Sequence, residues 1–167
     1  MEVRFKITGR ELFVFSLNNF WRSAAGLISI ACTIGVLLFL ILRRDTIGSE
    51  TALILVALVI GAMFVQVAAM RGKAGRRVSD PDSPSSQEMF FRLDKNGIRV
   101  RQGENKGQAS WDQIKRVKRA GGVYMLYLSN DEAYLFPERV FRGAEKQKFL
   151  RFLEQYVPAA KRRGIRV

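Results

Sequence analysis

Two uncharged stretches of 20 residues, Ser23–Leu42 and Thr51–Met70, lie only eight residues apart. At about 1.5 Å of rise per residue, each spans the roughly 30 Å hydrocarbon core of a bilayer as a helix. Neither holds an Asp, Glu, Lys or Arg, any of which would cost roughly 2.5–3.5 kcal/mol at the bilayer centre. The connection, Arg43–Glu50, is too short for a domain, so the pattern predicts an antiparallel transmembrane hairpin. What remains is one soluble unit of about 80 residues, near the lower limit for a self-supporting core.

The first stretch does not read as a secretory signal. A 22-residue lead containing Glu2 and Glu11 precedes it, and Arg43-Arg44-Asp45 follows where a small-residue cleavage site would stand. Basic flanks set the orientation. Arg4, Lys6, Arg10 and Arg22 precede the first stretch and Arg71, Lys73, Arg76 and Arg77 follow the second, against Arg43 and Arg44 in the connection. The excess places both termini in the cytoplasm and 43–50 outside. Ala31 with Gly35, and Ala57 with Gly61, form small-xxx-small pairs that would let the hairpin backbones touch or seat a second copy, unless their spacing is chance. Gln66 is the one amide in either span and would hydrogen-bond across the hairpin. With no ionisable residue at depth, a pump or coupled transporter is disfavoured. Cys32 reads as a small apolar packing residue.

Around the hairpin the patterning changes. Val3, Phe5 and Ile7 alternate with Arg4 and Lys6, the period-two signal of a strand, and an aromatic-rich lead then runs to an interfacial Phe20-Trp21. After the second span, residues 71–87 read as a basic segment followed by a flexible Pro/Ser-rich linker. Strand-like runs follow at 89–93, 98–101, 109–111, 114–119, 123–128 and 133–136. Asn96-Gly97 predicts a type I′ hairpin turn, 103–107 a second turn, and Gly121-Gly122 a third break. Phe149, Phe152, Leu153 and Tyr156 recur at i, i+3, i+4 and i+7, predicting an amphipathic helix that ends at Val157-Pro158. The solution suggested is a curled sheet with the aromatic stripe of the helix closing one open end. The fold class is therefore an α+β membrane protein, with units at 1–22, 23–42, 43–50, 51–70, 71–87, 88–157 and a basic tail, 158–167.

The order of elements resembles the bacterial YcxB-like family. Two closely spaced membrane helices precede Trp111-Asp112-Gln113-Ile114-Lys115-Arg116-Val117, then Tyr124–Leu128, then Leu135-Phe136-Pro137-Glu138-Arg139-Val140-Phe141 and a terminal helix. The resemblance implies a small pleckstrin-homology-like antiparallel β domain of seven strands, capped by the C-terminal amphipathic helix. It implies a bacterial inner-membrane location and carries no catalytic residues. Six strands are evident after the linker. The seventh lies within 101–107, is a division of 114–120, or is the N-terminal strand joining the sheet.

Chemistry is sparse. The chain has no histidine and one cysteine, which removes the commonest general base and leaves no disulfide or metal motif. Asp112, Asp131, Glu132 and Glu138 lie at turns or strand ends, where solvated carboxylates are ordinary. No catalytic residue, metal or cofactor is expected, and the reading is not an enzyme. Charge carries the remaining information. The net charge is +13; residues 1–87 hold 10 basic and 6 acidic side chains, and residues 88–167 hold 18 and 9. Lys115, Arg116, Lys118 and Arg119, joined by Arg99 and Arg101, form a candidate patch for anionic lipid headgroups or a protein partner, against the plainer reading of a solvated face. Arg71, Lys73, Arg76 and Arg77 act as topology determinants beside the headgroups. Nucleic acid is disfavoured, for no recognition helix or stacking motif is evident. The expectation is a non-enzymatic membrane protein presenting a cytoplasmic binding domain. A scaffold subunit assembled through its membrane helices, with a homo-oligomer allowed, is the alternative.

Overall fold

The structure is a computed structural model that describes residues 1–20, 23–43 and 46–163. Trp21, Arg22, Arg44 and the tail residues Gly164–Arg166, to which roles were given above, lie outside these residues.

The chain is α+β. It begins with a strand, β1 (Glu2–Phe5), and three helices: α1 (Gly9–Phe20), α2 (Ala24–Leu42) and α3 (Ser49–Ser79). Six strands follow: β2 (Met89–Asp94), β3 (Gly97–Gln102), β4 (Asn105–Ala109), β5 (Arg116–Ala120), β6 (Val123–Tyr127) and β7 (Ala133–Pro137). Helix α4 (Glu145–Tyr156) and a two-residue strand, β8 (Arg162–Arg163), complete it. The strands form two four-stranded sheets, ordered β1-β2-β3-β4 and β7-β6-β5-β8. All pairs are antiparallel except β5 with β8.

The first strand answers the question of the missing seventh. Glu2–Phe5 pairs along Met89–Arg92, and the Met1 ammonium donates to the Leu93 carbonyl at 2.8 Å. Strand alternation sends Val3, Phe5, Phe91, Leu93, Ile98 and Ala109 inward, and all are buried. The Phe91 ring lies 5.6 Å from Phe5 and 4.6 Å from Phe136, locking the two sheets face to face. The segment before the apolar helices therefore belongs to the β domain, and α2 and the apolar part of α3 are inserted between its first and second strands.

Helix α4 closes the structure through two groups of aromatic contacts. Phe149, fully buried, packs 5.3 Å from Tyr124, 5.1 Å from Phe136 and 4.6 Å from Phe141. Phe152 and Tyr156 stack instead on Trp111, at 6.3 and 5.3 Å. The predicted stripe closes the sheets as expected, divided between core and rim.

Several boundaries differ from the sequence reading. Helix α3 runs unbroken for 31 residues, so the basic segment 71–79 is helical rather than linker. Small residues explain how it is held: Ala74 is 3% exposed, and a Cβ on Gly9 would stand 3.3 Å from the Gly75 Cα, so α1 crosses α3 at close range. The Pro/Ser stretch is also tied down. Ser83 caps a 3-10 turn at Pro84–Ser86, and the Gln102 side chain donates to the Pro84 carbonyl. In the β domain, the third strand is 105–109 instead of 109–111, the turn shrinks to Gly103-Glu104, and Trp111 starts a 3-10 turn. The 94–97 turn is not type I′, because positive φ there is confined to Gly97 (140°). A Cβ on Gly97 would meet the Ala109 carbonyl at 2.2 Å, so close strand approach requires this glycine. The two positive φ values occur instead at Gly121 and Gly122. The tail expected from residue 158 includes a 3-10 turn and β8.

Of the two expected membrane spans, α3 is long and apolar enough to cross a bilayer; the apolar stretch Gly26–Leu42 in α2 is shorter. Leu53, Leu58 and Phe64 on α3, and Ile28, Ile41 and Leu42 on α2, are exposed. The Ser29 hydroxyl donates to the Gln66 side-chain oxygen at 3.2 Å, linking the two helices as Gln66 suggested.

Candidate ligand-binding face

The outer face of the first sheet collects cations from four strands. Pairing registers set two rows across it: Glu2, Arg92, Arg99, Gln108, and Arg4, Phe90, Arg101, Lys106. Period-two alternation places these side chains opposite the buried set. Arg92 stands directly across from Arg99, and Arg101 directly across from Lys106. Like charges in such positions destabilise a sheet. Two of the five cations have acids: Arg92 lies 3.7 Å from Glu2, and Arg99 lies 3.1 Å from Asp94. The other row has none among the described residues. There the Arg4 and Arg101 guanidiniums lie 4.9 and 5.7 Å from the Phe90 ring centroid. A shallow groove of about 500 Å³ crosses the face, lined by Phe90, Arg92, Arg99, Arg101 and Lys106 among others.

The run Lys115, Arg116, Lys118 and Arg119 is not a patch. Strand pleating sends alternate members to opposite faces of β5. The Arg116 guanidinium lies 3.9 Å from the Tyr127 centroid, its Nε and Nη2 buried without a hydrogen-bond partner among the described residues. The Lys118 ammonium donates to the Asn18 side chain on α1, and Asn18 in turn donates to the Tyr127 hydroxyl. Arg119 on the other face donates to Glu138. Lys115 and Arg119 are exposed, and Arg119 is held by Glu138. Arg99 and Arg101 belong to the other sheet, so the six residues grouped by sequence separate into two sites.

The remaining sequence candidates are dispersed. On α3, Lys73 and Arg77 line a hollow of about 270 Å³ with Asn19, Phe20, Ser23 and Asp131. Arg71 lies beside Arg10 and Phe13 on α1, and Arg76 is exposed. Ala31, Gly35, Ala57 and Gly61 are exposed, and a Cβ on either glycine would meet nothing within 4 Å. The two backbones therefore do not touch at these positions. Cys32 is exposed as well and packs no core.

The motifs that carry the family resemblance act as joints. The Trp111 indole donates to the Asp94 carbonyl at 2.9 Å, and Ser110 with Gln113 forms a capping box over the turn. Glu138 accepts from Arg119 and from Lys146, the latter at 3.4 Å. Arg119 beside it holds the Glu138 carboxyl below the usual carboxylate range, against the opposing effect of burial. Arg139 donates to both carboxylate oxygens of Glu11, at 2.6 and 3.1 Å, and to the Lys6 carbonyl at 2.7 Å. Phe141 packs against Phe149.

Residues 93–153 match the family model described as YcxB-like protein. This segment is similar to that family. It runs from the end of β2 through most of α4, so the YcxB-like segment contains the Trp111 and Phe136–Phe141 joints and the last two strands of the cationic face. Arg4, Phe90 and Arg92 come from outside it. No curated protein and no solved structure matches the chain. Among the described residues, no group of three or more His, Cys, Asp or Glu side chains is placed to hold a metal ion. Asp112, Asp131 and Glu132 are exposed at turns, and burial pushes the Tyr124 and Tyr134 phenols above their ordinary range.

Proposed function

We propose that this protein is a non-enzymatic recognition module of the bacterial inner membrane. In this reading α2 and α3 cross the bilayer as an antiparallel hairpin, with both termini in the cytoplasm. The β domain, pleckstrin-homology-like in its two sheets and closing helix, is held at the membrane surface and binds anionic groups of a protein partner or of lipid headgroups. The observation that carries it is the pairing of two exposed apolar helices with a cationic sheet face on one body. Soluble monomers rarely expose contiguous apolar patches above a few hundred Å², and lipid supplies the missing cover. Four basic residues on α3 beyond Met70 suit the cytoplasmic side.

The test is fractionation with topology. The full chain should remain in the membrane pellet through an alkaline carbonate wash. Protease should digest the β domain in inside-out vesicles and spare it in intact spheroplasts. Release of folded protein by the wash, or cleavage in spheroplasts, would remove this reading.

A further inference from the structure

We infer that the outer face of the first sheet is a docking surface for an extended acidic segment of a protein partner, whose carboxylates pair with Arg4, Arg101 and Lys106. The inference rests on the proposed function and names which of its two ligands the face receives.

Three observations lead to it. First, the row Arg4–Phe90–Arg101–Lys106 has no acid of its own among the described residues, and Arg101 directly opposes Lys106. A sheet face that needed only solubility would be more stable with one of these neutral, so the repulsion points to an anion supplied from outside. Second, the spacing fits a strand-like ligand. Neighbouring strands lie about 4.8 Å apart, and same-face residues along one strand about 6.6 Å apart. The second of these is the interval at which an extended chain presents alternate side chains, and arginine receives a carboxylate with two parallel hydrogen bonds. β4 is also an edge strand, with no neighbour beyond it in the sheet order.

Third, the domain is fixed against the bilayer in a way that disfavours headgroups. α1 packs on α3 on one side and on the second sheet on the other, through Gly9 against Gly75 and Phe15 with Asn18 against Tyr127. The cationic face belongs to the other sheet, on the side away from that sheet's contacts with the second. The residues nearest the apolar helices, Phe20, Ser23 and Met70, adjoin Asp131 and none of the face's cations. The packing of α1 on α3 ties the domain to the apolar helices on a side without the face's cations. Nucleic acid is disfavoured by Phe90, whose ring is engaged by two guanidiniums instead of standing free to stack on bases.

The experiment uses the full chain in nanodiscs of zwitterionic phosphatidylcholine and a fluorescently labelled hexaglutamate peptide, read by anisotropy. Binding is expected, and Arg101→Gln with Lys106→Gln should weaken it by about tenfold, roughly one charge-assisted pair. Lys148→Gln with Arg151→Gln, which removes equal charge from an exposed part of α4, should leave it unchanged. The face variant should lose no thermal stability, because it relieves a like-charge pair. Absent peptide binding, or equal loss in both variants, overturns the inference. So does abolition of peptide binding when phosphatidylglycerol is included in the discs, which would assign the face to headgroups. Tighter binding of a single-stranded oligonucleotide that is lost in the same variant would also overturn it. Failure of the chain to enter nanodiscs would instead count against the membrane reading, so the two failures are distinguishable.

Discussion

Glu11 is 7% exposed, the one buried charged side chain among the described residues, and its contacts explain why. It closes a capping box with Thr8 at the start of α1, accepting from the Thr8 amide at 2.8 Å, and it receives Arg139 from the far end of the YcxB-like segment. A buried carboxylate with these donors is compensated; without them it would be costly. Glu138, the neighbour of Arg139 in sequence, ties β5 and α4 together through Arg119 and Lys146. Its carboxyl lies below its ordinary value in the folded chain because Arg119 donates to it, and it returns to about 4.3 on unfolding. A depressed folded pKa contributes stability that is complete above the unfolded value and disappears as pH falls through the folded one. Glu138→Gln should therefore lower stability at neutral pH and flatten its decline below about pH 4.5. Urea midpoints measured across that range decide the matter; identical acid slopes for the two proteins would contradict it. The segment from Leu135 to Phe141 was visible in the sequence as a motif, but its purpose was not, because each of its charged residues has a partner more than one element away.

Elements with a strong local period were legible. β2, β3, β6 and β7 follow alternating or continuous apolar runs, and α4 carries the Phe149, Phe152, Leu153 and Tyr156 stripe and ends within a residue of the expected stop at Val157. Phe149 of that helix touches three rings from β6, β7 and the turn after β7. Phe149→Ala should cost about 3–5 kcal/mol, a large share of the roughly 5–15 kcal/mol available to a small domain. Guanidinium unfolding of the detergent-solubilised chain would measure it, and a loss under about 1 kcal/mol would mean the helix does not close the core. Weakly patterned elements were not legible. β4, Asn-Lys-Gly-Gln-Ala, has one buried residue, Ala109, and so gives no alternating signal. The extension of α3 through Arg71–Ser79 is polar on most of its surface, and its helicity depends on α1 packing against Ala74 and Gly75.

At the scale of the molecule, the insertion of the apolar helices between β1 and β2 governs what can fold alone. A fragment beginning at Glu88 loses β1 with Val3 and Phe5, and Ile7 after it, all buried, and loses the α1 cover over Tyr127. Expressed alone, residues 88–163 should be molten or aggregated. Joining residues 1–20 to residues 71–163 through a short Gly/Ser linker should restore a cooperative, soluble domain, since Phe20 and Met70 line the same hollow. Dispersed amide proton spectra for the first fragment, or their absence for the second, would contradict this assembly.

Read alone, the chain settles what local periodicity and solubility can settle: two apolar helical stretches, a β domain with a closing amphipathic helix, and a basic excess. Which cations share a surface was decided only by tertiary structure. Residues adjacent in sequence leave a strand on opposite sides, so the run 115–119 scatters across β5. Arg4, Arg92, Arg99, Arg101 and Lys106 meet because strand pairing brings alternate positions from four strands, one of them some 85 residues upstream, into two facing rows.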